Sequence, residues 1–322
     1  MNPDTINAYS FFLPYQSASF SQKFLRRVYE HQQIDEPNAK SYQNGYAFTY
    51  YLIHGQRFFE QTLMAPYEIK PLLLFYGTVQ FCKACLLTVD QDYPKNATVL
   101  AHGVSTRKLK KQNFEFLHDT VLIQKKGLFS HMASMLFNRP LLEGRKYQMD
   151  ELLHFFPELN SLHIKIREKP LCHSVTQLPE GTYQANPQLL TDLAMTKDRF
   201  FQYFGSFIDP IYRDKKERSE ASIIPFKLKK GVSIQDVFLQ DNKGICYLSS
   251  FRMEYPLLPE LLVYYLILYN LSMITRYETE WWNDLFLQRS SNDLSFIQAI
   301  IDSAQTKIPF LVNQFLESKD PI

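Results

Sequence analysis

Two runs of this sequence are too apolar to stand alone. Leu72–Leu87 (LLLFYGTVQFCKACLL) and Leu261–Tyr269 (LLVYYLILY) lie far apart in the chain, yet each carries apolar side chains around nearly its whole circumference. A helix of that kind persists only when it is covered on most sides. The second run, held between Glu260 and Asn270, is too short to cross a bilayer. Protein must therefore supply the cover, and the simplest arrangement is that each run covers the other, drawing both ends of the chain into one helical bundle.

The segments around them support this. Phe20–His31 places Phe24, Leu25 and Val28 on one side and Arg26, Arg27 and Glu30 on another, an amphipathic helix. After Pro37, Ala39–Leu63 sets Tyr42, Tyr46, Tyr50, Ile53 and Phe58 near helical spacing, and Pro66 and Pro71 stand where a following helix begins. Helical periodicity returns over Pro259–Tyr277 and Leu294–Leu316. The centre differs: DTVLIQKKG, SLHIKIREK, RFFQYFGSFID, ASIIPFKLKKG and GICYLSSFRME are short, rich in β-branched and aromatic residues, and read as strands. One short helix, Met149–Phe156, interrupts them. The expected fold is mostly α, of the α+β class: an amino-terminal helical part (1–118), a mixed insertion (119–255) and a carboxyl-terminal helical part (256–322).

Composition narrows the function. With 45% hydrophobic residues and only 10 Gly in 322, the chain builds a packed core and is not disordered. A net charge of +2 excludes a polyelectrolyte but leaves room for a local basic patch. The 26 Phe and 20 Tyr suit an aromatic core and equally suit stacking on bases. Four cysteines make no disulfide framework in a chain of this length, and MNPDTINAYSFFLPYQ has neither the basic nor the apolar region of a signal peptide. A cytoplasmic protein is expected, with no membrane partner and no cofactor. Phosphate-loop, dinucleotide, zinc-protease and nucleophile-elbow motifs are all missing.

The chemistry-bearing residues concentrate in a few places. Cys82-Lys-Ala-Cys85 has redox spacing but falls late in an apolar helix, away from the amino terminus that would acidify a thiol, so core cysteines are expected. Lys83 interrupts that helix, and its ammonium either snorkels to the surface or points into a cleft. AHGVSTRKLKKQ (Ala101–Gln112) combines His102, Gly103, two hydroxyls, Arg107, Lys108, Lys110 and Lys111, the groups with which proteins hold phosphate. The same residues also describe a solvated turn. A second KLKK at Lys227–Lys230 would put Lys227 and Lys229 on one strand face. On the last apolar helix, Ser272 and Arg276 share a face. Arg276 either complements the helix end and pairs with Glu278 or Glu280, or points toward Lys83 and His102.

PLLLFYGTVQFCKACLLTVD, AHGVSTRK and LSMITRYETEWW resemble the bacterial YaaC-like family along nearly the whole chain. The helical ends in turn resemble the HEPN group of domains, in which a bundle binds nucleotides or cleaves RNA, often as a dimer. That resemblance implies a HEPN-like bundle, a homo-oligomer, and a nucleotide or RNA as partner. HEPN ribonucleases carry Arg-x4–6-His, the histidine serving the 2′-hydroxyl and the arginine the phosphate. Two stretches match, Arg26 to His31 and Arg167 to His173. A chain of this composition yields such spacings by chance, and Pro170 stands against a helix in the second. The expected ligand site is a basic cleft of Lys83, His102, Gly103, Arg107, Lys108 and Arg276. The rivals are a metal-independent ribonuclease, using Arg26 with His31 or His102 with Arg276, and an interaction protein that dimerises through its aromatic helices.

Overall fold

The computed structural model describes residues 9–107, 114–140, 142–211, 223–289 and 291–321, and divides into two compact units. The first, Met1–Gln148 with Tyr264–Ile322, joins both ends of the chain; the second is Met149–Val263.

In the first unit, α1 (Ala18–His31) begins at Ser17, whose hydroxyl accepts from the Phe20 N–H, and it buries Phe24, Leu25, Val28 and Tyr29. Next come α2 (Pro37–Thr62) and α3 (Lys70–Leu87), each with proline in its first turn, where the missing N–H leaves no helical bond unmade. These two helices lock together reciprocally. A Cβ on Gly55 would lie 2.6 Å from the Phe81 ring and one on Gly77 would lie 2.7 Å from the Phe59 ring. Each helix thus receives a phenylalanine of the other in a hollow left by glycine. The carboxyl end of α3, whose last carbonyls lack helical partners, is capped by side chains from its neighbours. Tyr29 Oη donates to the Leu87 carbonyl at 2.6 Å, and Gln32 donates to that of Thr88 at 2.9 Å. Asn44 donates to Tyr29 Oη and to the Gln91 carbonyl.

The unit is completed by α4 (Leu128–Phe137), α5 (Glu260–Tyr277), α6 (Thr279–Gln288) and α7 (Asp293–Lys319). Every residue from Leu261 to Asn270 in α5 is buried. The two apolar runs do cover one another: Phe75 of α3 meets Tyr265 and Tyr269 of α5 edge-on, at 5.3 and 5.6 Å between ring centroids. A small antiparallel sheet, β1 (Val104–Ser105), β2 (Thr120–Ile123) and β3 (Lys146–Gln148), stands in the order β1-β2-β3. Residues 119–148 therefore belong to the helical unit. Among the described residues no helix is long and apolar enough to cross a membrane.

The second unit is a six-stranded antiparallel sheet formed by β4 (Cys172–Leu178), β5 (Thr182–Ala185), β6 (Ile208–Pro210), β7 (Ile224–Leu228), β8 (Leu239–Gln240) and β9 (Cys246–Ser249), in the order β6-β7-β5-β4-β9-β8. Its core includes Tyr183, Phe200, Phe204, Phe226 and Phe238. The chain is thus mostly helical and of the α+β class, as its periodicity implies.

Local readings in this unit fared less evenly. SLHIKIREK is not a strand but a helix, Asn160–Arg167, closed by Glu168 at φ 56°. The alternation of His163, Ile164, Lys165 and Ile166 imitates a strand, yet only His163 is fully buried. RFFQYFGSFID divides into a helix, Lys197–Tyr203, capped by the Thr196 hydroxyl, and then β6. The short helix is Met149–Leu153.

All four cysteines are free and buried. Burial pushes the Cys82 thiol up to about 12 and holds that of Cys85 well above its ordinary value. Since the thiolate is the reacting form, both should label with a maleimide far more slowly in native protein at pH 8 than in urea. Labelling of either at the rate of free cysteine would restore a redox role for this pair.

Candidate functional site

The site is set by a contact between two glycine backbones in the first unit. Gly103 has φ +77° and Gly127 φ +131°, and a Cβ on Gly127 would lie 2.3 Å from the Gly103 Cα. Side chains are excluded, so the His102–Gly103 segment lies directly against the start of α4. The first N–H groups of α4, which have no partner within the helix, are satisfied there. Leu128 N donates to the Ala101 carbonyl at 2.7 Å and Phe129 N to that of His102 at 3.1 Å. The His102 carbonyl also accepts from Tyr265 Oη of α5 at 2.9 Å.

With its backbone held on two sides, His102 turns its ring into an aromatic cage. Phe75 lies 4.9 Å away edge-on, Tyr269 at 5.8 Å and Tyr76 at 6.2 Å. Its Nδ1 is buried and, among the described residues, has no hydrogen-bond partner. Burial first, then the Arg276 guanidinium and the Lys83 ammonium, push the His102 pKa below its ordinary value, so the imidazole is neutral at pH 7.

The two cations arrive from different helices. Arg276, in the last turn of α5, donates from Nε to the Ser272 carbonyl at 3.1 Å, from Nη1 to Tyr76 Oη at 3.4 Å, and from Nη2 to Met273 Sδ at 2.9 Å. Its guanidinium sits 5.3 Å from the Tyr277 ring centroid. It pairs with neither Glu278 nor Glu280 and reaches across to Tyr76 of α3 instead. Ser272 does lie one turn away on the same face, but it contributes its carbonyl, because its hydroxyl is spent on Tyr269 of its own helix. Lys83 of α3 is half-buried, with Nζ 5.5 Å from the Tyr51 ring centroid, and desolvation lowers its pKa. Among the described residues neither Lys83 nor Arg276 forms an ion pair with a carboxylate.

The same unit holds two further groups of buried polar residues. Asn270 donates to Asp119 Oδ2 at 2.7 Å and to Thr106 Oγ1 at 3.3 Å, while its own Oδ1 is buried without a partner. Asp90, 3% exposed, holds His131 Nε2 at 2.9 Å. The Tyr93 ring stacks on His131 at 5.8 Å, and its hydroxyl, buried beside Tyr51 and Cys82, has no partner.

Of the residues expected at the site, His102 and Arg276 both meet Tyr76, and Gly103 adjoins His102; Lys83 stands on the same helix as Tyr76, against the Tyr51 ring. Arg107 is exposed at the edge of the described chain, and Lys108, Lys110 and Lys111 lie outside the described residues. The second basic stretch belongs to the other unit, where Lys227 is exposed on β7 and Lys229 is taken up by Asp209 and the Gly205 carbonyl. The two Arg-x4–6-His stretches are also accounted for. Arg26 pairs with Glu30, Arg167 with Asp150, and His173 with Asp192. The residues that sequence reasoning missed are Tyr51, Tyr76, Tyr93 and Tyr269. Tyr51, Tyr76 and Tyr269 are polar-tipped rings in an apolar context, the one signal that separates them from ordinary core aromatics, whereas Tyr93 stands in the polar stretch DQDYPKN.

A two-ended helical unit carrying a six-stranded α+β insertion, with an aromatic-lined cationic cluster in the helical part, describes the class of this protein. The chain belongs to the YaaC-like protein family, whose model matches residues 13–316. No curated protein and no solved structure matches it.

Proposed function

We propose that this YaaC-like protein binds a nucleotide or RNA through a phosphate held by Lys83, His102 and Arg276, with Gly103 shaping the turn and Arg107 and Lys108 drawing the anion in. One observation carries the reading: among the described residues, His102 Nδ1 is buried and unpartnered, and neither of the two half-buried cations whose charge acts on it has a carboxylate. Burying unbalanced positive charge is costly, and an anion relieves that cost while giving Nδ1 a partner. A fork-shaped guanidinium suits two phosphate oxygens, and a lysine supplies a point charge to a third.

Competition of unlabelled purine nucleoside monophosphates against a fluorescent analogue, followed by anisotropy, tests this. Lys83→Met should weaken binding roughly tenfold, the loss of one hydrogen bond to a charged group. Lys243→Met, an exposed change in the other unit, should leave it unchanged. Equal affinities for the two variants would sink the proposal.

A second reading, metal-independent RNA cleavage, draws on the same neutral imidazole, which can accept a proton from a 2′-hydroxyl while Arg276 holds the phosphate. It requires RNA to be cut in the presence of EDTA, and to remain intact with His102→Ala.

A further inference from the structure

The exposed surface of α2 carries a row of rings that leads into this site. Tyr42, Tyr46 and Tyr50 follow one another four residues apart and are 68%, 50% and 62% exposed. His54 and Phe58 continue the same row. Each step of four residues rises about 6 Å along a helix and turns slightly around its axis, so the row forms a ridge winding toward α3. Three ring pairs are in contact along it. Tyr46 and Tyr50 are 6.2 Å apart, His54 stacks on Phe58 at 4.8 Å, and Phe58 stacks on Tyr76 at 6.3 Å. Tyr76 lies beside His102, and its hydroxyl accepts from Arg276.

Among the described residues, the exposed tyrosines are these three and Tyr277, whose ring lies beside the Arg276 guanidinium. Tyr277 borders the cationic cluster, and the other three stand on the helix whose Phe58 meets Tyr76. Charge follows the same path. Over Pro37–Thr62, α2 contains Lys40, His54 and Arg57 against one carboxylate, Glu60, which accepts from Gln56 one turn earlier, and α3 contains Lys70 and Lys83 and no carboxylate. On the adjoining α1, Glu30 is already paired with Arg26.

We infer that this ridge is a binding track for single-stranded nucleic acid, with successive unpaired bases stacking on Tyr42, Tyr46 and Tyr50 and the chain ending with a phosphate at Arg276, Lys83 and His102. The inference rests on the phosphate site proposed above and extends it from a mononucleotide to an oligonucleotide. A duplex does not fit, because its bases are already stacked on one another, whereas aromatic rings beside a positive surface are the means by which proteins hold unpaired strands. The charge also argues against a second copy of the chain as the occupant: Glu60 is the single carboxylate of this helix, a poor complement to Lys40, His54 and Arg57 beside the one a phosphate chain provides.

Anisotropy with full-length protein and fluorescein-labelled oligoadenylates of one to eight nucleotides tests the track. Affinity should rise with each added nucleotide up to about five and then level off, because the ridge offers three exposed rings and the stacked pair beyond them. Tyr46→Ala and Tyr50→Ala should each weaken pentanucleotide binding roughly five- to a hundredfold and leave the mononucleotide untouched, whereas Tyr46→Phe should bind like the parent protein. An oligomer with abasic sugars should lose the gain, and parallel RNA and DNA series show whether the 2′-hydroxyl is read. Both alanine changes are at exposed positions, and unchanged melting temperatures confirm that the variants fold.

Affinity independent of length, or alanine variants that bind the pentanucleotide normally, would overturn the track. So would a dimer that Tyr46→Ala and Tyr50→Ala dissociate while oligonucleotide binding persists, since a second copy would then be what covers the ridge. The underlying phosphate site fails separately, through mononucleotide binding indifferent to Lys83 and Arg276.

Discussion

Gly127→Ala should cost this protein on the order of 3–5 kcal/mol of stability, combining the strain of a glycine-only backbone conformation with overpacking. At φ +131° Gly127 occupies a region that alanine rarely enters. The added methyl would also stand 2.3 Å from the Gly103 Cα, 2.5 Å from its nitrogen and 2.9 Å from the Ala101 carbonyl oxygen. All three are backbone atoms, so no side chain can rotate away to make room. The segment would have to move, and with it would go the bonds from Leu128 and Phe129 to the Ala101 and His102 carbonyls. Gly144→Ala is the control. That residue also has positive φ, +76°, but a Cβ there meets nothing within 4 Å, so only backbone strain of about 1 kcal/mol remains. Urea unfolding of both variants decides it, and equal midpoints would remove the glycine contact as the feature that positions His102. Gly103→Val makes the same point from the other side, where a Cβ would meet Phe129 N at 3.0 Å.

The parts of the fold legible in the sequence are those where burial is all-round or strictly periodic. Leu72–Leu87 and Leu261–Tyr269 require mutual cover, and the Phe75–Tyr265 contact supplies it. Short central segments were harder because their residues satisfy two periods at once. His163–Ile166 alternates like a strand, but it forms a one-sided helix that buries His163 alone, and no propensity outweighs which side is covered. β4 went unread because CHSVTQL is polar over much of its length, and its place is fixed by pairing with β5 and β9 rather than by its own pattern.

The site divides in the same way. His102-Gly103, Lys83 and Arg276 stand out in sequence because each interrupts an apolar or turn context. What surrounds them does not. Tyr51, Tyr76 and Tyr269 are indistinguishable by spacing from the aromatics of the core, and the partner of Gly103, Gly127, lies beyond both β1 and β2 in the chain. Sequence alone also leaves Arg276 free to pair with Glu278; only the packing of α5 against α3 turns it toward Tyr76.

Arg276→Ala should weaken phosphate binding about 10- to 100-fold, corresponding to the roughly 1.5–3 kcal/mol of a hydrogen bond to a charged group. Arg276→Lys should recover only part, since it restores the charge without the fork. Arg107→Ala provides the contrast: an exposed arginine acts mainly at long range, and salt near 0.5 M should erase its effect while that of half-buried Arg276 survives. The pH dependence carries its own sign. In free protein the His102 pKa is depressed, by burial first and then by Arg276 and Lys83. The stability gained from keeping it neutral is therefore present above the ordinary histidine value and lost as pH falls through the folded-state value. A bound phosphate favours imidazolium and raises that pKa. The added affinity is accordingly full below the pKa of the free protein and fades as pH rises through that of the complex. Measured with a dinucleotide, whose diester does not titrate in this range, binding should tighten as the solution is acidified from neutrality. His102→Gln should flatten the curve while Arg276→Ala lowers it at every pH. A curve that stays sloped in His102→Gln would assign the titration to another group and take His102 out of the phosphate's reach.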